Sequence, residues 1–301
     1  MRVRVTNVGA EKTRCITPEG EEIDITFAAT PFEKLSAQLR IGDELSLLDC
    51  PAAVQGVIHP TLVILEPNFL VDVTALCSCY KDYGFHAANA LLAKFDARSN
   101  TLPIQLGNLA NELFDDCIQS ESASTEDETA RKGRFHRVVT NSFRRFPLVY
   151  TALPGIDRDF FVRADTMHIN ICRSKGALPA ELMIEPSFVC PDLGLQGRMD
   201  ALSYDRHTIV ELKSGKCDEW RRDSKCKREH EMQMILYSEM LHYGAGLPRH
   251  AVQCLLFYCQ YPLLAKVSYT IYQVQKIMAV RNDLVHQARL LSEGRGREIM
   301  Q

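Results

Sequence analysis

The chain has 301 residues, of which 46% are hydrophobic and 24% are charged, and its formal net charge is −3. These values are typical of a globular protein, and they exclude a collagen-like, wholly disordered or globally basic DNA-coating chain. The length allows one large domain or two modest ones. Any contact with nucleic acid must therefore come from a local basic surface.

The sequence has no feature of a membrane or secreted protein. No segment reaches the ~20 predominantly apolar residues that a membrane-spanning helix needs, and the charged N-terminus lacks the apolar core of a signal peptide. The 11 cysteines are odd in number and scattered, and no C-x-x-C pair occurs, which argues against a secreted disulfide framework. We expect a cytoplasmic protein in a reducing compartment, with mostly buried thiols.

Residues 1–70 predict a small β-rich unit. Short strand-like runs alternate with turns, and a short helix is predicted over residues 31–40. In one of the runs Ile23, Ile25 and Phe27 share a face, as in a half-buried strand. Short strands with one helix suit a small closed barrel of the OB type. An extension of the main sheet is the alternative interpretation.

The next region, residues 72–119, predicts two helices. Thr74 can cap the first helix, which would continue to about residue 95, although Gly84 weakens it. The second is predicted from about Pro103 to Gln119, because its leucines recur at helical spacing. Residues 120–130 are polar and acidic and predict an exposed loop.

The second half of the chain alternates between strand and helix patterns. The predicted elements are a helix at 133–146, strands at 181–189, 195–204 and 207–214, a helix at 228–243, strands at 251–259 and 263–271, and a last helix from about 273. This succession predicts an α/β fold with a mixed sheet.

The strand at 208–213 carries two charged side chains on one face. Alternate residues of a strand share a face, so Glu211 and Lys213 point one way while Val210 and Leu212 point the other. Charged groups in such a place are costly unless they are paired or bind an ion.

A second carboxylate precedes this strand. Asp200 ends the preceding strand, and the turn at 204–207 can join the two strands as a hairpin, so Asp200 can approach Glu211. Two carboxylates beside a backbone carbonyl form an oxygen-rich site for Mg²⁺ or Mn²⁺, and Lys213 can orient water or neutralise a phosphate. A structural network of ion pairs is the alternative, because this pattern is short and frequent.

Three ordered motifs carry a family resemblance: GLQGRMD at 194–200, VELKSGK at 210–216 and HEMQMILY at 230–237. The sequence resembles the RecB-like nucleases of the PD-(D/E)XK superfamily. It is most similar to the nuclease domain of the replication helicase–nucleases that trim Okazaki-fragment flaps, and to CRISPR-associated RecB-like exonucleases. The resemblance implies a restriction-endonuclease-like mixed sheet flanked by helices over residues 71–301, after an OB-like domain at 1–70.

The resemblance also implies roles for single residues. Asp200 and Glu211 would bind Mg²⁺ or Mn²⁺, and Lys213 would be the catalytic lysine. Gln233 and Tyr237, which share one helical face at i and i+4, would help to hold DNA.

Two departures from the family pattern stand out. The first motif, G-x-x-x-H, is matched by residues 107–111, where Asn111 stands in the histidine position. Its amide oxygen binds a hard metal more weakly than a charged group, and the adjacent Glu112 is a candidate substitute. Relatives with an iron–sulfur cluster use one cysteine before this motif and three near the C-terminus. Cys77 or Cys79 matches the first, but the trio is absent, so we do not expect a cluster in this chain.

Basic and aromatic residues are concentrated after the E-x-K strand. Lysines and arginines neutralise phosphates, and an aromatic ring can stack on a base. The candidate substrate-binding residues are His230, Lys216, Trp220, Arg221 and Arg222. A solvated charged loop is the alternative, because acidic residues dilute this charge. A second basic cluster occupies residues 131–145.

Together these features predict a divalent-metal-dependent DNA nuclease that acts at single-stranded ends or flaps in replication and repair. A helicase would act with it, either in a missing C-terminal part of the chain or as a separate protein. The alternative is a catalytically weak or inactive DNA-binding or scaffolding module of a helicase complex, for which Asn111 is the motivation.

Overall fold

The computed structural model describes residues 1–81, 84–96, 100–120, 127–218 and 225–300. The strands of this part are β1 (Arg2–Val8), β2 (Thr13–Ile16), β3 (Glu22–Ile25), β4 (Glu44–Leu48), β5 (Val57–Ile58), β6 (Leu62–Leu65), β7 (Val71–Asp72), β8 (Tyr80–Lys81), β9 (Gly84–Phe85), β10 (Leu182–Ile184), β11 (Ser187–Cys190), β12 (Leu195–Arg198), β13 (Ala201–Ser203), β14 (Thr208–Lys213), β15 (Gln253–Tyr258) and β16 (Leu263–Val267).

The α-helices of the same part are α1 (Val73–Ser78), α2 (Ala88–Leu92), α3 (Leu102–Gln119), α4 (Glu128–Arg145), α5 (Pro147–Thr151), α6 (Arg158–Ser174), α7 (Arg228–Ala245) and α8 (Ile271–Ser292). Short 3-10 helices lie at Glu33–Ala37, Lys175–Ala177, Arg249–Ala251 and Gly296–Met300.

The N-terminal strands form an open sheet, not a closed barrel. Within the described residues the strand order is β5-β3-β2-β1-β4-β6, and the two end strands do not pair. The predicted closed barrel is therefore wrong. Helix α8 covers the edge of β6 instead: the side-chain oxygen of Asn282 accepts from the N–H of Leu65 at 2.9 Å, and its amide nitrogen donates to the carbonyl of Val63 at 2.7 Å. The predicted helix at 31–40 is only a 3-10 turn.

The first helix predicted after this sheet is also wrong in extent. Asp72, not Thr74, caps α1 by accepting from two backbone N–H groups, and α1 ends at Ser78. The chain then forms the hairpin β8–β9, in which Gly84 has a φ of +133°, a conformation that L side chains rarely adopt. The second predicted helix is confirmed as α3.

A mixed sheet forms the centre of the molecule. Within the described residues its order is β10-β13-β14-β15-β16, and β14 pairs in parallel with β15 while the other neighbours are antiparallel. Ile209 packs into the core that α7 and α8 cover, whereas Val210 and Leu212 pack into the core of α3 and α6. The predicted alternation of faces along β14 is therefore confirmed, as is the α/β class with helices on both sides of a mixed sheet.

The region predicted as one strand at 181–189 is divided between two sheets. Glu185 has a φ of +50° and precedes Pro186, and this turn directs β10 into the central sheet and β11 into the sheet β11-β12-β7. The hairpin predicted around residues 204–207 is confirmed, since β13 and β14 pair antiparallel.

Arg281 of α8 joins the N-terminal sheet to the G-x-x-G segment. It is fully buried, and its guanidinium donates to the backbone carbonyls of Leu65, Glu66, Phe69 and Gly194. Burial lowers its pKa to about 9. Gly194 has a φ of +59°, a conformation that L side chains rarely adopt, and a Cβ atom there would overlap the guanidinium of Arg281. Both the backbone conformation and the lack of space therefore require glycine at this position.

The apolar core of the N-terminal sheet is continuous with the core around α7 and α8, and the domain division at residue 70 stays a prediction.

The cysteines, all of which lie among the described residues, form no disulfide, and most are buried. No helix in the described part of the chain has the length and apolar character that crossing a membrane requires. The predicted acidic loop at 120–130 falls largely outside the described residues.

Candidate active site

The bend that precedes β13 and the strand β14 position two carboxylates. Asp200 lies at the bend between β12 and β13, and its Oδ2 accepts from the backbone N–H of Leu212 at 2.8 Å. This bond holds the Asp200 carboxylate beside the peptide that follows Glu211.

Glu211 is buried and has two unlike oxygens. Its side chain lies on β14 and the residue is only 3% exposed. Oε1 accepts from Nζ of Lys213 at 2.9 Å and from Nε2 of Gln233 at 2.6 Å. Oε2 is buried and has no hydrogen-bond partner among the described residues. One half of the carboxylate is thus satisfied by protein groups, while the other half has no hydrogen-bond partner in the described part of the chain.

Helix α7 supplies the groups that hold the lysine. Gln233 accepts from Nζ of Lys213 at 2.8 Å through Oε1. Its Nε2 also lies 3.2 Å from the hydroxyl of Tyr237, which in turn donates to the carbonyl of Arg198 at 2.5 Å. The ring of Tyr237 fits here because residue 197 is glycine: a Cβ atom at Gly197 would lie 2.9 Å from that ring.

Burial and neighbouring charges shift the pKa values of Asp200 and Lys213. Burial and the negative charge of Glu211 raise the pKa of Asp200 to about 7. Burial works against the charge on Lys213, but the two carboxylates outweigh it and raise the pKa of the ammonium group. The cluster thus combines a carboxylate that resists ionisation with a lysine that stays charged.

The two carboxylates fit a hard divalent cation. Among the described residues no group of three His, Cys, Asp or Glu side chains is arranged to hold a metal ion. Mg²⁺, however, commonly uses one or two carboxylates and completes its shell with water and substrate phosphate. A cation here would compensate both the unpaired oxygen of Glu211 and the disfavoured charge of Asp200. The donor set is therefore chemically suitable for such an ion.

A sequence model of the PD-(D/E)XK nuclease superfamily matches residues 72–299. The chain belongs to this superfamily. Membership implies metal-dependent nuclease activity in general terms, with Mg²⁺ or Mn²⁺ as the usual ion. No curated protein matches the chain, and the closer resemblance to RecB-like nucleases stays a prediction.

Helix α3 carries the segment 107–111, predicted to match the first motif of the family pattern, close to the end of β14. A Cβ atom at Gly107 would lie 3.1 Å from the hydroxyl of Ser214, so the glycine lets the helix approach the residue after Lys213. Asn111 follows one turn later and is half-buried. Glu112, in contrast, accepts from the hydroxyl of Ser142 at 3.2 Å, so its side chain is engaged by α4.

Sequence reasoning missed Asp115, one turn beyond Asn111 on α3. Burial, and then the negative charge of Glu185, raise its pKa to about 7, while Arg198 acts in the opposite direction. Asp115 lies close enough to Asp200 to contribute to the raised pKa of that carboxyl. Its i+4 spacing from Asn111 was the available signal.

A cleft of about 430 Å³ opens beside the catalytic lysine candidate. Its lining residues are Thr74, Cys77, Ser78, Tyr80, Lys213, Glu229, His230 and Gln233. His230, a predicted substrate-binding residue, therefore lies at the site. Its Nδ1 is hydrogen-bonded to the hydroxyl of Tyr258 at 2.8 Å. Burial, together with the charges of Lys213 and Lys227, lowers its pKa to about 3, so the imidazole is neutral.

Among the described residues, the other predicted nucleic-acid contacts do not line this cleft. Lys216 is exposed in the loop after β14, and Trp220, Arg221 and Arg222 lie outside the described residues. The second basic cluster forms ion pairs within the molecule. These pairs are Arg131–Asp165, Lys132–Glu128, Arg134–Asp116 and Arg137–Asp116.

Proposed function

We propose that this protein is a divalent-metal-dependent deoxyribonuclease that hydrolyses phosphodiester bonds at the cluster of Asp200, Glu211 and Lys213. The main support for this proposal is that the two carboxylate oxygens of Glu211 have different surroundings. Oε1 accepts hydrogen bonds from Lys213 and Gln233, whereas Oε2 is buried without a partner in the described structure. Leaving a buried carboxylate oxygen unpaired is costly, and a metal ion would remove that cost.

Each residue has a distinct part in the proposed reaction. Asp200 and Glu211 would hold the ion, which when bound supplies a Lewis acid and lowers the pKa of water. The amide oxygen of Asn111 is a further candidate ligand, whereas the carboxylate of Glu112, the other residue predicted for this part, would first have to leave Ser142 of α4. Nζ of Lys213 is fixed between two acceptors, so it can stabilise the negative charge that develops on the scissile phosphate without reorganising.

Helix α7 acts by positioning. Gln233 holds both Lys213 and Glu211, and Tyr237 fixes the amide of Gln233. A shift of about 1 Å in a reacting group can cost ~10²-fold in rate, which explains why the lysine needs two hydrogen bonds to defined acceptors.

The biological setting rests on the resemblance of the three motifs to RecB-like nucleases. On that basis we include single-stranded ends or flaps as substrate, and replication or repair as the process. A helicase would act in the same chain or as a partner, in the cytoplasm at the nucleoid. Lys216, Trp220, Arg221 and Arg222 are the proposed additional contacts to the DNA backbone and bases.

The test is degradation of end-labelled single-stranded DNA in Mg²⁺ or Mn²⁺, with Glu211→Gln and Lys213→Met. Glu181→Gln and Lys266→Met are matched controls, because both residues are exposed and lie on, or directly beside, a strand of the same sheet. We expect metal-dependent cleavage that the site variants lower by at least ~10²-fold and the controls leave unchanged. Equal cleavage by all five proteins would refute the site, and the product ladder would give the polarity.

A second candidate is a DNA-binding scaffold that retains the fold without efficient catalysis. Two observations favour it: Asn111 replaces the usual histidine, and the described residues contain no three-membered cluster of acidic, histidine or cysteine ligands. Calorimetric titration with Mn²⁺ separates the two candidates. A nuclease binds Mn²⁺ in a manner that Asp200→Asn abolishes, whereas a scaffold binds DNA without binding Mn²⁺ at this site.

A further inference from the structure

We infer that the cleft beside Lys213 is a subsite for one unpaired nucleobase of single-stranded DNA, with Tyr80 as its stacking surface. The inference depends on the proposed nuclease function, because it assigns a part of the substrate to the space next to the proposed reaction centre.

The position and size of the cleft fit a base. Lys213 and Gln233 line it, and both contact Glu211, so a group bound here lies beside the phosphate that would be cleaved. Its volume of about 430 Å³ falls within the ~300–1,000 Å³ typical of pockets for small organic ligands. The space is therefore sufficient for a planar ring system and larger than a single ion needs.

Tyr80 provides an aromatic ring in the lining of the cleft. Its ring packs edge to face against the ring of Phe85, with centroids 5.3 Å apart and an interplanar angle of 71°. Both rings belong to the hairpin β8–β9, so the stacking surface is held before the substrate arrives. Aromatic side chains that stack on bases contribute ~1–3 kcal/mol per base.

The polar groups of the cleft suit base edges better than phosphates. Thr74 and Ser78 are hydroxyl-bearing residues of the lining, and the Ser78 hydroxyl donates to the carbonyl of Ala75 at 2.7 Å. His230 is neutral because burial, together with the charges of Lys213 and Lys227, lowers its pKa to about 3. Glu229 also lines the cleft, and its carboxylate would repel a phosphate but can accept from an amino group of a base. Lys213 is the cation of this described lining, and its proposed part is to stabilise the phosphate at the reaction centre, not to bind a second phosphate within the cleft.

This chemistry predicts the substrate class. A base within a duplex is stacked and paired, and extracting it costs a few kcal/mol, whereas a single-stranded base can enter at little cost. The subsite would therefore favour single-stranded DNA through base stacking, in addition to any electrostatic contact with the backbone.

The test combines a protein series with a substrate series. Tyr80→Ala and Tyr80→Phe are compared with wild type and with Tyr272→Ala, a control at an exposed tyrosine on α8. The substrates are single-stranded oligonucleotides that each carry one abasic site, at successive positions from the cleaved bond. We expect Tyr80→Ala to lower kcat/KM about 5- to 100-fold on intact DNA, and Tyr80→Phe to remain close to wild type.

The decisive result is non-additivity. One abasic position should lower kcat/KM of wild type by a similar factor, and at that position Tyr80→Ala should cause no further loss. Unchanged activity of Tyr80→Ala, or effects that multiply at every abasic position, would overturn the subsite.

A binding measurement separates this inference from the nuclease proposal. Oligonucleotides with 2-aminopurine at the same position are bound in Ca²⁺, and fluorescence quenching reports stacking. Quenching that depends on Tyr80 in a protein that cleaves nothing would support the subsite and refute the nuclease. Wild-type cleavage together with quenching that Tyr80→Ala leaves intact would refute the subsite alone.

Discussion

Above about pH 7 the carboxyl group of Asp200 ionises in the folded protein, at a cost to stability. Burial and the charge of Glu211 raise its pKa to about 7, from an ordinary value of 3.8. One pKa unit corresponds to ~1.4 kcal/mol, so ionised Asp200 lowers the free energy of unfolding of the metal-free protein by about 4 kcal/mol at pH 8. Because the folded pKa is the higher one, this loss is absent below about pH 4, grows as the pH rises toward 7 and is complete above it.

The substitution Asp200→Asn removes this charge and keeps an oxygen that can accept from Leu212. We expect the variant to be more stable than wild type by about 2 kcal/mol at pH 8 in EDTA, since burial of the neutral amide offsets part of the gain. At pH 5 the advantage should nearly vanish. Urea denaturation at both pH values measures the difference, with the exposed Asp192→Asn as a control that changes neither value.

Metal addition supplies the second half of this test. Mn²⁺ should raise the free energy of unfolding of wild type at pH 8, because an ion that binds only the folded state stabilises it. It should have little effect on Asp200→Asn, which should also lose cleavage. If Asp200→Asn is instead less stable than wild type at pH 8 in EDTA, then the ionised carboxylate of Asp200 does not destabilise the metal-free protein, and this reasoning is wrong.

Three further predictions concern the groups around this cluster. Asn111→His should lower the Mn²⁺ concentration needed for half-maximal cleavage, because imidazole is a stronger ligand for Mn²⁺ than an amide oxygen; an unchanged titration would place residue 111 outside the metal shell. Gln233→Met should reduce kcat about 10- to 100-fold with little change in KM, since Lys213 loses an oriented acceptor; a rise in KM alone would contradict a positioning role. Gly194→Ala should destabilise wild type strongly in urea denaturation, through a left-handed conformation that costs ~1–2 kcal/mol and through overlap with Arg281. In an Arg281→Ala background only the first term should remain, and full additivity of the two substitutions would refute the overlap.

Local sequence signals predict the fold where local interactions decide it. The alternation along β14 and the extents of α3 and α7 follow from periodicity, and α8 begins at a capping box formed by Thr270 and Gln273. The predictions fail where a distant segment decides. The barrel does not close because Asn282, 217 residues after Leu65, occupies the edge of β6. Helix α1 ends early because the next residues pair as a hairpin.

The candidate site, like the fold, is predicted where spacing along one element decides and missed where the packing of elements decides. Motif spacing indicates that Glu211 and Lys213 share a face and that Gln233 and Tyr237 share another, and the structure brings these four side chains into one hydrogen-bonded group. Spacing alone does not reveal how α3 is rotated about its axis. That rotation decides that Asp115 is electrostatically coupled to Asp200, while Glu112 is turned toward α4.

The two glycines of the G-x-x-G motif connect the N-terminal sheet to the reaction centre. Gly194 leaves room for Arg281, which holds the chain that leaves β6, and Gly197 leaves room for Tyr237, which fixes Gln233. The two close approaches are three residues apart on one short segment that includes β12. Because both approaches depend on the position of this segment, the contact of Arg281 with the N-terminal sheet and the contact of Tyr237 with Gln233 share one structural element.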